Sequence, residues 1–218
     1  MKEESTLEYI YIPAKEKTGE KSPVLIALHG VGSNEKDLAN FAASLNPKLA
    51  VISLRAPLKL GIESFAWFHV RFTSEGPNHN RAEAEESRLA IRKFIASLKD
   101  HLEIDSSKIF LLGFSQGTIM SLSLALTEPE LVKGVIGIGG RTLQEISAQA
   151  RERSYHVSPK VLLIHGKNDN KLPYFHAEAS AETLKQAKFD YELKSYDAGH
   201  EITTEMAEDI RAWLVQNI

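Results

Sequence analysis

Short apolar runs bounded by turn residues recur along the chain, and amphipathic stretches lie between them. Residues 7–12 alternate and are rich in β-formers, with Pro13 ending the run. Residues 24–28 are continuously apolar before His29-Gly30, and 49–54, 109–112, 135–138 and 161–164 read the same way, the last three each ending near a glycine. Such runs suit strands covered on both faces. Residues 191–196 alternate and end near Gly199. Between them, residues 82–102 place Ile91, Phe94, Ile95, Leu98 and Leu102 at helical spacing. Residues 118–126 are almost uniformly apolar, as in a helix packed on a sheet, and 173–188 open with proline as helices often do. In 201–215, Ile202, Met206, Ile210, Trp213 and Leu214 form one stripe, and 142–153 is a weaker helix.

Strands alternating with helices of this length predict parallel βαβ units with right-handed crossovers. The expected fold is therefore α/β, a mostly parallel central sheet with helices on both faces. The two early strands could add an antiparallel edge. Residues 55–81 are the irregular part, with Pro57, Gly61, Gly76, Pro77 and several aromatics.

The chain of 218 residues fits a single domain, expected over 1–218. With no cysteine, disulfide scaffolds, thiolate metal sites and cysteine nucleophiles are excluded. The net charge of −3 provides no broad basic field, so no nucleic-acid partner is expected. No apolar run reaches the roughly 18 residues of a membrane span, so no integral membrane contact is expected. The start, MKEESTLEYI, lacks the apolar core of a secretory signal, and the expected compartment is the cytoplasm. Neither H-E-x-x-H nor a G-x-G-x-x-G after a strand occurs, so no metal and no cofactor are called for.

The chemical centre is Gly113-Phe114-Ser115-Gln116-Gly117, a G-x-S-x-G between a strand-like IFLL and a helix-like TIMSLSLAL. A nucleophile that stands clear of a sheet edge needs a sharp strand-to-helix turn, and the flanking glycines permit the close approach. The helix N-terminus then presents unpaired N–H groups to developing negative charge. Gln116 would supply one oxyanion donor. The loop His29-Gly30-Val31-Gly32-Ser33-Asn34 would supply the second, from the Val31 N–H. His29 itself reads as a prop for that loop.

A serine needs a histidine base and a carboxylate that sets the tautomer. Of eight histidines, only His200 sits in a glycine-containing loop between the last strand and the last helix. His79, His101, His156 and His176 read as surface residues. His69 could touch substrate or pack, and His165 would bond to backbone. Asp169 follows a strand's carboxyl end, so the chain order Ser115, Asp169, His200 is that of the α/β-hydrolases. Asp197, three residues before His200, is the rival acid; Asp190 and Asp209 read as solvated.

HGVGSN, GFSQG, HGKND and AGHEI, in this order, resemble the phospholipase/carboxylesterase family of small serine hydrolases, which includes acyl-protein thioesterases. The likeness spans the chain from about residue 7 to its end. It implies an α/β-hydrolase fold without a large cap, with Ser115, Asp169 and His200 as the triad and the Val31 and Gln116 N–H groups as the oxyanion hole. Thr118, and Val31-Gly32-Ser33 in the early loop, depart from the family's usual wording. Leu58, Leu60, Phe65, Trp67 and Phe68 are expected either to line an apolar acyl trough or to plug the core. The expected activity is hydrolysis of short- to medium-chain carboxylic esters. Alternatives are a thioesterase or lysophospholipase with the same triad, and a catalytically silent binding protein. The expected partner is a small ester or thioester, on a monomer or homodimer.

Overall fold

The computed structural model of the chain describes residues 7–17, 19–73, 76–98 and 103–218. Strand β1 (Tyr9–Ile12) and β2 (Ser22–Leu28) are followed by α1 (Ala39–Leu45) and β3 (Ala50–Leu54). Two hairpins come next, β4 (Leu58–Gly61) with β5 (Ser64–Ala66), and β6 (Val70–Thr73) with β7 (Gly76–His79). The remaining order is α2 (Arg81–Ser97), β8 (Ile104–Phe114), α3 (Gln116–Thr127), β9 (Gly134–Ile138), α4 (Gln144–Glu152), β10 (Lys160–Gly166), α5 (Phe175–Gln186), β11 (Tyr191–Tyr196) and α6 (Thr204–Asn217).

The seven-stranded sheet has the order β1-β3-β2-β8-β9-β10-β11. All its pairings are parallel except that of β1 with β3. Only the first of the two early strands is therefore antiparallel; β2 lies inside the sheet, parallel to both neighbours. Its continuous apolar sequence has that cause: alternate side chains point to opposite faces, and both faces are covered. Val24, Ile26 and Leu28 join one core with residues of α2 to α5, while Leu25 and Ala27 join another with residues of α1 and α6.

Helix α3 crosses the middle of the first layer, and Gln116 to Leu126 are buried without a break. This explains its uniformly apolar sequence. The amphipathic α2 and α6 instead bury one stripe each, Ile91, Phe94 and Ile95 in the first, Met206, Ile210, Trp213 and Leu214 in the second. Asn80 caps α2 by accepting the Glu83 N–H, and Thr203 caps α6 by accepting the Met206 N–H. Helix α2 is described as far as Ser97; of the positions expected to continue it, Leu102 lies outside the described residues, as does His101. Among the described residues no helix is long and apolar enough to cross a membrane.

Candidate active site

Strand β8 ends in Phe114 and α3 begins at Gln116, so the whole turn is made at Ser115. Its backbone stands at φ 54° and ψ −115°, a conformation that costs a non-glycine residue energy. The turn is held by the Ser115 N–H, which donates to Ile138 O at 2.9 Å on the neighbouring strand β9. It is possible only between glycines. A Cβ on Gly117 would fall 1.8 Å from the Leu28 carbonyl oxygen, and one on Gly113 2.4 Å from the Thr118 nitrogen. Thr118 fixes the far side: its hydroxyl donates toward the Gly113 and Ile138 carbonyls and accepts the Ile138 N–H, all at 2.8 Å.

Asp169 and His200 come from the loops after β10 and β11, adjacent parallel strands. His200 Nδ1 lies 2.6 Å from Asp169 Oδ2. Asp169 Oδ1 accepts the backbone N–H groups of Lys171 and Leu172, both at 2.8 Å. Burial alone would push this carboxyl's pKa up; the His200 ring and the two amides outweigh it and hold it below the ordinary value. Asp169 is thus an anion oriented toward one imidazole nitrogen. Asp197, the rival, instead accepts the Asn168 side-chain amide at 2.6 Å.

Gly139 and Gly140, at the exit of β9, bring the two halves together. A Cβ on Gly139 would lie 3.4 Å from the Cε1 and Nδ1 atoms of His200, and one on Gly140 2.8 Å from the Ser115 carbonyl oxygen. The Phe114 ring lies 5.0 Å from the His200 ring, centroid to centroid. His200 and Ser115 therefore border consecutive glycines, Gly139 and Gly140 respectively. Among the described residues the Ser115 hydroxyl bonds to no protein group; catalytic hydrogen bonds often close only once substrate is in place.

The segment that leads into Val31 lies beside this serine. Gly30 packs against it, since a Cβ there would sit 3.3 Å from Ser115 Cβ. Among the described residues neither the Val31 N–H nor the Gln116 N–H donates a hydrogen bond, and Val31 is 53% exposed. His29 supports the loop as expected: its Nδ1 donates to Gly30 O at 2.7 Å and its Nε2 accepts the Ala56 N–H at 3.0 Å. Desolvation pushes its pKa down, in keeping with a neutral ring.

The aromatic segment needs correction. Trp67 and Phe68 are fully buried, so they brace the site and line no trough. The Gln116 side chain accepts the Trp67 N–H at 2.9 Å and donates to Phe68 O at 2.7 Å. Trp67 Nε1 donates to His29 O at 2.9 Å. Phe65 accepts the Gly32 N–H and donates its own N–H to Ser33 O, while its ring is covered by Arg55 at 4.8 Å. Residues 65–68 thus tie the early loop to the start of α3. Leu58 is partly buried and Leu60 is 43% exposed in the β4–β5 hairpin. A cleft of about 470 Å³ is instead bordered by Leu38, Phe41, Phe114 and Ile202 together with the polar Asp37, Thr203, Thr204 and Arg211.

Other histidines also differ from expectation. His79 is no surface residue; its ring is largely buried and bonds to Glu145 at 2.6 Å. His176 is half-buried rather than exposed. His69 pairs with Glu83, and His156 is exposed as expected. His165 does bond to backbone, with its Nε2 2.7 Å from Leu172 O; the same nitrogen is also 3.3 Å from Asp169 Oδ2, a contact the sequence did not reveal. Among the described residues no group of acidic and histidine side chains could hold a metal ion.

The family model described as Phospholipase/Carboxylesterase matches residues 11–218. Esterase YpfH of Escherichia coli (strain K12) is 29% identical over 82% of this chain and 76% of its own length. Acyl-protein thioesterase 1 of Gibberella zeae is 27% identical over 72% of this chain and 70% of its own. The crystal structure of esterase PE8 superposes with a TM-score of 0.83 at 26% identity, covering 97% of this chain and 99% of that one. The sheet order and flanking helices are those of an α/β-hydrolase fold, and no large cap domain is evident.

Proposed function

This chain belongs to the phospholipase/carboxylesterase family of hydrolases, and we propose that it is a serine carboxylesterase acting on short- to medium-chain esters. The observation that carries this reading is the 2.6 Å bond from His200 to Asp169 beside a serine held at positive φ. Ser115 Oγ attacks the ester carbonyl carbon while His200 Nε2 takes its proton. Asp169 orients the ring and stabilises the imidazolium that forms. The carbonyl oxygen gains the displaced electron pair and receives the Val31 and Gln116 N–H groups; losing one such donor costs ~3 kcal/mol of barrier. Collapse of the intermediate breaks the bond to the leaving alkoxide, which takes the proton from His200. Water then repeats the sequence on the acyl-serine, releasing the acid.

The name of the Gibberella zeae relative favours a second reading, the same chemistry on thioesters. Methanol partitioning tests the first and weighs the second. Phenyl butyrate, p-nitrophenyl butyrate and S-phenyl thiobutyrate must all pass through one butyryl-Ser115. The ratio of methyl butyrate to butyrate at fixed methanol is therefore expected to be identical for all three. A ratio that changes with the leaving group, or no turnover of any of them, would remove the acyl-enzyme. The relative kcat/KM of the oxygen and sulfur esters then ranks the two readings.

A further inference from the structure

We propose that Arg141 recognises a carboxylate on the substrate, so that the preferred ester carries a negative charge close to the scissile bond. This rests on the serine esterase reading and narrows its substrate class. Arg141 directly follows Gly139-Gly140, the pair that borders both His200 and Ser115. Its side chain is held back from water, yet among the described residues no carboxylate lies within 4 Å of it. The one hydrogen bond its guanidinium makes to protein among those residues is to the carbonyl of its neighbour Thr142, at 3.3 Å.

The nearest acid does not explain it. Glu145 is engaged by His79 at 2.6 Å and faces Arg81 at 3.9 Å, and its second oxygen is buried with no hydrogen-bond partner. Arg141 has therefore not reached that oxygen. The other ionisable group facing it is His176, whose pKa burial lowers first and the Arg141 charge lowers further. Desolvation likewise lowers the pKa of Arg141 itself, outweighing the opposing pull of the Glu145 charge. A cation in such a place is costly unless something pairs with it. Arg55 and Arg88, by contrast, are satisfied: Arg55 by Glu35, Arg88 by Glu85 and Glu128.

The loop is also built to stay put. The Thr142 N–H donates to Ser180 Oγ at 2.9 Å, and Ser180 Oγ donates to His176 O at 2.7 Å. This fixes the Arg141 backbone against α5. With its backbone so placed, the guanidinium offers a planar fork suited to a carboxylate. The rim at the carboxyl ends of parallel strands is where open α/β sheets bind ligands.

The test compares kcat/KM for four substrates in two pairs, a neutral ester and its charged counterpart: ethyl butyrate and monoethyl succinate, then propyl butyrate and O-butyryl glycolate. The second places the charge on the acyl side, the fourth on the alcohol side. The parent enzyme is expected to prefer one charged ester over its neutral match by tenfold or more. Arg141→Gln should lower that preference by about 10- to 100-fold, as expected for loss of a charged hydrogen-bond partner, and Arg141→Lys should fall between. Melting temperature is read in parallel: Arg141→Gln is expected to melt no lower than the parent. No preference for either charged ester in the parent, or a preference unchanged in Arg141→Gln, would overturn the assignment. A parent that turns over none of the four would sink the esterase reading instead. Calorimetric titration with succinate then decides for Arg141, with binding at least tenfold weaker in Arg141→Gln supporting it and equal or absent binding overturning it.

Discussion

Ser115→Ala is expected to lower kcat/KM for p-nitrophenyl butyrate by about 10⁴- to 10⁶-fold while leaving the fold intact. The size of the loss follows from what the hydroxyl does. In the proposed mechanism it is the atom that bonds to the acyl group, and neither His200 nor Asp169 can replace it. What would remain is the proposed pair of N–H donors at Val31 and Gln116 and whatever binding energy the site supplies, a residue of catalysis over water of roughly 10³- to 10⁴-fold in comparable triads. The substitution removes one oxygen from a buried position that makes no side-chain hydrogen bond among the described residues. Circular dichroism and melting temperature should therefore match the parent. Comparable rates in the two proteins would assign the chemistry to another group.

Gly117→Ala is expected to abolish folding, or to destabilise by more than about 4 kcal/mol, the exceptional end of single-substitution effects. The added Cβ would lie 1.8 Å from Leu28 O and 2.5 Å from Leu28 C. These are backbone atoms of β2, which is hydrogen-bonded into the sheet on both sides and cannot give way. Total stabilities of domains are only about 5–15 kcal/mol, so such a loss is most of the reserve. Gly19→Ala is the control, since its Cβ would meet nothing nearer than Lys21 O at 3.9 Å. Urea denaturation of both variants checks this. Equal midpoints for Gly117→Ala and the parent would mean that α3 does not pack against β2 as described.

The sheet was readable because its strands are buried on both faces, which writes continuous apolar runs such as VLIAL and VLLI into the sequence. The polar start of β8, Ile104 to Lys108, has no such signature, and the apolar run begins only at Ile109. Helix α1 is only seven residues long and has no side-chain cap, so neither periodicity nor capping announces it. The β4–β5 and β6–β7 hairpins are only three or four residues per strand and pair with themselves, outside the seven-stranded sheet, so their sequences carry too short a pattern to be read.

The site divides in the same way. Ser115, Asp169 and His200 stood out because each follows the carboxyl end of a strand with a glycine close by. Trp67 and Phe68 look identical to trough-lining aromatics in sequence. Only the tertiary bonds from Gln116 and His29 show them turned inward. Arg141 carried a signal, a lone cation after Gly-Gly at a strand exit, but its lack of a partner is visible only in three dimensions. The same holds for His165, whose contact with Asp169 depends on the fold of the 169–172 loop.

Labelling with a fluorophosphonate tests the nucleophile most directly. Intact-mass analysis should show one adduct per chain, and peptide mapping should place it on Ser115. Prior unfolding in urea should abolish it, because the reactive oxygen depends on His200, Asp169 and the two N–H groups being assembled. An adduct on a different residue, or none on the folded protein, would contradict the assignment of Ser115 and leave a hydrolase fold without the chemistry described for it.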